Sequence, residues 1–114
     1  MKDCLFCKIA DGQLPAKVVH QDDDAVAFLD KNPQAPTHLL VIPRKHIPTL
    51  NDLVPEDDAL VGRLHRLAAR LAAERGIAQN GWRVVVNTNR GAGQSVFHVH
   101  LHVLGGRQMT WPPG

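Results

Sequence analysis

The chain has two cysteines, Cys4 and Cys7, no cluster of basic residues, and no apolar run near the roughly 18 residues of a membrane span. Each scarcity closes a class. Two cysteines three positions apart are too few and too close to brace a fold as a disulfide framework, which leaves free thiols in a reducing compartment or a metal. Met1-Lys2-Asp3-Cys4 lacks the apolar core of a signal peptide, so the reading is a soluble, cytoplasmic protein with no membrane partner. A formal charge of +2 without a basic patch argues against a nucleic-acid partner and leaves a small anionic substrate open. Neither an internal repeat nor a low-complexity linker interrupts the 114 residues, and 44% apolar content suffices for one core, so a single domain over residues 1–114 is predicted.

The chain does carry an ordered series of short apolar segments. Residues 4–10 have apolar positions at helical spacing and stop at Asp11-Gly12, which predicts a helix of two turns. Residues 17–20 and 25–30, joined by polar Gln21 to Asp24, predict a hairpin with His20 facing solvent. Asn32-Pro33-Gln34-Ala35-Pro36 must be an ordered loop, because two prolines fix φ and remove donors. Leu39-Leu40-Val41-Ile42, closed by Pro43, predicts a strand covered on both faces. Asp30 and His38 then flank a rigid loop at strand ends, a common place for binding groups.

Residues 44–53 read as a connector with at most one short turn. Beyond Pro55 an acidic first turn, Glu56-Asp57-Asp58, suits a helix N-terminus, and Leu60, Leu64, Leu67 and Leu71 form the apolar stripe of a helix running to about Gly76, with His65 on its surface. Residues 83–88 predict another buried strand. These elements add up to an α+β fold, with a largely antiparallel sheet of about five strands and one long and one short helix. The tail from Gly105 onward is irregular yet holds Trp111, whose burial is worth a few kcal/mol, so a cover for that ring is expected.

Between residues 87 and 103 a glycine-rich loop runs into alternating histidines. On an extended strand His98, His100 and His102 share one face, while Val99, Leu101 and Val103 take the other. Gly91, Gly93 and Ser95 let backbone N–H groups approach an anion. Two chemistries use such a strand. Convergent imidazoles can hold a metal, or one neutral imidazole can attack phosphorus and carry the nucleotidyl group covalently, with Nδ1–H held by a fixed acceptor. A third, inert reading has the three rings simply lining the solvent face of the strand.

His98-Val99-His100-Leu101-His102-Val103 resembles the signature of the histidine triad (HIT) superfamily. Gln34-Ala35-Pro36-Thr37-His38, Val41-Ile42-Pro43, Gly93-Gln94-Ser95-Val96 and the tail Trp111-Pro112-Pro113-Gly114 resemble its nucleotide-binding Hint branch. The resemblance implies a HIT-like fold and a homodimer whose tails, with Trp111, approach the opposite active site. It implies a phosphoramidase that cleaves the P–N bond of purine nucleoside 5′-phosphoramidates of the AMP type and hydrolyses aminoacyl adenylates. By motif position His100 is the nucleophile. Asp30 holds the ribose with Lys31 beside it, Asn87, Gly93, Gln94, Ser95 and His102 surround the phosphate, His38 completes the histidine cluster, and Phe6 and Phe28 wall the base. No metal or cofactor is required for that step. A dinucleoside polyphosphate hydrolase of the Fhit type and a nucleotide-sensing interaction module are the alternatives. The chain departs from many Hint members at Lys31 and at Cys4-x-x-Cys7. The second departure, read with similar patterns elsewhere in the superfamily, suggests a structural zinc held by Cys4, Cys7, His46 and His98, against two reduced thiols packed on the core.

Overall fold

The computed structural model describes residues 3–114; Met1 and Lys2, which carry part of the signal-peptide reading, lie outside the described residues. Among the described residues, β1 (Val18–Gln21), β2 (Ala25–Leu29), β3 (Thr37–Pro43), β4 (Trp82–Val85) and β5 (Leu101–Gly105) form one antiparallel sheet in the order β1-β2-β3-β5-β4. A short helix, α1 (Leu5–Ala10), and a long one, α2 (Asp58–Glu74), pack on opposite faces. β3 holds the centre because its side chains from His38 to Pro43 are all buried, which only a strand covered on both faces allows.

The period-two pattern sorts the strands between the helices. Ala25, Ala27, Leu39, Val41, Leu101 and Val103 meet Leu64, Leu67, Ala68 and Leu71 of α2, while Val26, Phe28, Leu40 and Ile42 meet Phe6, Ile9 and Ala10 of α1. Each buried leucine of the α2 stripe contributes about 2 kcal/mol of transfer free energy. The helix ends where Gly76 turns to φ +77°, with Gly76 N–H donating to Ala73 C=O and Ile77 N–H to Ala72 C=O. Ile77 then lies against Gly105, where a Cβ would stand 2.5 Å from Ile77 Cδ1. A bare backbone at that position lets β5 run under the end of α2.

Three expectations need correction. The hydrogen-bonded part of the histidine strand begins at Leu101, not at His98. Val99 N–H donates to Ile47 C=O at 2.7 Å, so residues 98–100 are tied to the connector instead of a neighbouring strand. The alternation survives, since Val99 packs on Ile47 and Leu60. The strand expected over residues 83–88 ends at Val85 and is only half-buried, because β4 is an edge with β5 as its one neighbour. The connector holds two 3-10 turns, Leu50–Asp52 and Pro55–Asp57, where one at most was expected. Trp111 stands 82% exposed, so nothing among the described residues covers it.

Candidate active site

His100 is buried, and its Nδ1 lies 2.7 Å from the carbonyl oxygen of His98. A carbonyl only accepts, so Nδ1 carries the proton and Nε2 keeps its lone pair. Burial pushes the His100 pKa below its ordinary value and favours the neutral ring, partly offset by the hydrogen bond to the His98 carbonyl and by the Asp30 charge. Phe6 stands perpendicular to His100 with ring centroids 5.0 Å apart, and edge-on to Phe28 at 5.5 Å. Both phenyl rings are almost wholly buried, so they form the floor under the histidines more than an open wall.

The second imidazole pair is ordered from its outer end. Gln34 N–H donates to His38 Nδ1 at 3.0 Å, which obliges Nε2 to carry the His38 proton. That Nε2–H donates to His102 Nδ1 at 2.9 Å and lies 3.3 Å from Asp30 Oδ2. His102 is thereby left with its proton on Nε2. Burial, then the neighbouring His100 and His38, hold the His102 pKa down to about 4. The donors of Asp30, His38 and His102 converge closely enough for a metal, but coordination through His38 Nε2 would force a proton onto Nδ1 against the Gln34 N–H. The cluster is a hydrogen-bond chain.

β3 and β5 bring these groups together, since His102 pairs with Leu40 and His38 with Leu104. The β4–β5 pairing ends at Val85↔His102, and Asn87 lies two residues beyond the end of β4. A cavity of about 190 Å³ opens at the strand ends, lined by Asp30, Pro33, Pro36, His38 and Arg75. Lys31 is exposed beside it. Arg75 escaped the sequence reading because an arginine at a helix end looks like any solvated cation. A larger cleft of about 490 Å³, between Gly76 and Gly81 and the segment Gly106 to Gln108, involves none of the histidines.

The loop before the histidines differs from the expected cradle in its donors. The N–H groups of Ala92, Gly93 and Gln94 bond back to Asn89, Arg90 and Asn89 carbonyls. Those of Ser95 and Val96 enter no hydrogen bond among the described residues, which leaves them open to an anion. Gln94, expected beside the phosphate, has its side chain buried and fully engaged in protein contacts, because its amide is needed to hold the loop together. Ser95 is exposed, and its hydroxyl makes no hydrogen bond among the described residues.

On the other side of His100 lie Cys4, Cys7, His46 and His98, whose ligand atoms all fall within 4.8 Å of one another. Cys4 Sγ and Cys7 Sγ are 3.3 and 3.5 Å from His98 Nδ1, Cys7 Sγ is 3.3 Å from His46 Nδ1, and the two Nδ1 atoms are 3.2 Å apart. Zinc at its usual bond lengths spans edges of about 3.4 Å between nitrogens and about 3.6 Å between sulfur and nitrogen. These four edges match such a tetrahedron to within a few tenths of an ångström, and the other two are no longer than 4.8 Å. His98 Nε2–H donates to Pro43 C=O at 2.7 Å, which leaves Nδ1 as the ligand atom and supplies the outer hydrogen bond that such ligands carry. No sequence signal pointed to the Pro43 carbonyl.

Comparison with known proteins follows this geometry. The HIT domain family matches residues 11–109. An uncharacterised HIT-like protein of Synechocystis is 49% identical over 99% of this chain and 98% of its own, and the purine nucleoside phosphoramidase of Escherichia coli is 46% identical over 95% and 91%. A HIT family hydrolase from Legionella pneumophila superposes with a TM-score of 0.97 at 55% identity, over 98% of this chain and all of its own.

Proposed function

The chain belongs to the HIT domain family, and from that premise we propose that it is a cytoplasmic purine nucleoside phosphoramidase that works through a nucleotidylated His100. The observation that carries the reading is the His100 Nδ1–H bond to the His98 carbonyl, which leaves a neutral, oriented Nε2. The 46% identity to a relative named for that activity supports the substrate class. Asp30 accepts hydrogen bonds from the ribose hydroxyls with Lys31 beside it, and Asn87 lies near the phosphate.

In the first step His100 Nε2 bonds to phosphorus as the P–N bond breaks, and the departing amine takes a proton. That proton comes from solvent water; His102 Nε2–H, held by the chain from Gln34 through His38, hydrogen-bonds the leaving group without giving up its own proton, and Ser95 hydroxyl hydrogen-bonds the leaving nitrogen. Ser95 and Val96 N–H meet the charge on the phosphoryl oxygens. Water then attacks the phosphorus, the P–His100 bond breaks, and nucleoside monophosphate leaves. Aminoacyl adenylates fit the same steps with a carboxylate leaving group. Cys4, Cys7, His46 and His98 would hold a structural zinc, which supplies cross-linking and no part of the chemistry.

Adenosine 5′-monophosphoramidate should be turned over by the native protein and not by His100→Ala, which still binds AMP. Rapid quenching and mass spectrometry should find the nucleotidyl group on His100. An adduct on His98 or His102, or turnover surviving His100→Ala, would overturn the assignment. Dinucleoside polyphosphates assayed alongside separate a Fhit-type hydrolase, and AMP binding without turnover of any substrate identifies a sensing module.

A further inference from the structure

We infer that Gln94 is a positioning residue: its buried carboxamide clamps a strained turn at Asn89 and thereby aims the Ser95 and Val96 N–H groups at the substrate phosphate. Asn89 has φ +68° and ψ 172°, a region essentially reserved for glycine. A residue with a Cβ stays there only if its surroundings hold it. Gln94 does so directly, since Asn89 N–H donates to Gln94 Oε1 at 2.7 Å.

The other end of the amide fixes the clamp to the body of the protein. Gln94 Nε2 donates one proton to Pro48 C=O at 2.8 Å and the other to Val96 C=O at 3.0 Å. Both donors and an acceptor lone pair are thus spent inside the protein, and only 4% of the residue is exposed. Pro48 belongs to the connector that also receives Val99 N–H through Ile47, so the same connector anchors the loop and the approach to His100. The Val96 carbonyl is fixed from one side while its N–H is left for the ligand. Glutamine suits the place because it alone offers an acceptor and two donors at that reach; glutamate would set oxygens against the Pro48 and Val96 carbonyls.

The inference rests on the phosphoramidase reading for its substrate, but the clamp has a readout of its own. In Gln94→Met, near-isosteric and without the three hydrogen bonds, amide exchange should rise at residue 89 and at residues 92–94, whose N–H groups bond within the turn. At a temperature where the variant is folded, kcat/KM for adenosine 5′-monophosphoramidate should fall about 10²-fold, mainly in kcat. Adding Asn89→Gly, which adopts φ +68° without strain, should recover most of that loss. Should Gln94→Met fail to fold, Asn89→Val at the exposed turn tests the same point, with increased exchange and a comparable loss. Unchanged exchange and kcat/KM within about twofold of native in either variant, or no recovery on adding Asn89→Gly, would overturn the inference. A native protein inactive on the phosphoramidate, with faster exchange in the variant, would sink the substrate reading and leave the clamp standing.

Discussion

His102 shows what burying an imidazole does. Its folded pKa of about 4 lies below the ordinary 6.5, so between those values the unfolded chain binds more protons than the folded one. Stability therefore rises with pH across that window and is fully present above it. His38 and His100, shifted down by burial as well, add to the slope. Calorimetry should find the thermal midpoint falling as pH drops from 6.5 to 4, and His102→Asn should flatten the fall. An identical slope in that variant would show that His102 is not held neutral by the fold.

At the level of elements, α1 links the sulfur cluster to His100 through Phe6. Cys4 caps the helix, with Sγ accepting Cys7 N–H, and the next turn buries Phe6 and Ile9. Protein purified without chelator should carry near-stoichiometric zinc by elemental analysis, lost in Cys4→Ser/Cys7→Ser with a lowered thermal midpoint. Metal-free protein that is fully folded and active would dismiss the site. The cysteine pair was legible because its spacing is a ligand spacing, and α2 and β3 because their apolar periods leave no other fold. The start of β5 was not, since Val99 finds its acceptor in a connector 52 positions earlier, which no local pattern encodes. The bonds that the Gln94 side chain makes were not legible for a related reason. A glutamine in a glycine-rich loop looks like a ligand contact until the carbonyl of Pro48 is seen behind it.

For the whole molecule, the uncovered Trp111 and the half-buried edge strand β4 support a second copy as their partner. A symmetric dimer is expected by sedimentation at micromolar concentration. Truncation before Met109 should change selectivity for the leaving amine more than for the nucleoside. A monomer at that concentration would contradict this.

The adjacency of β3 and β5 has a consequence for how the protein comes into being. His38 emerges early in synthesis, but its partner His102 lies 64 positions later, with all of α2 and β4 between them. Closing so long a segment is slow compared with forming a helix or a hairpin. A nascent chain is therefore expected to hold β1, β2, β3 and α2 before the proposed nucleophile is made, and a fragment that stops before His98 contains Asp30 and His38 without His100 or His102. On the proposed reading catalysis is thus a late event in the chain's life, completed only when residues 98–105 dock beside β3.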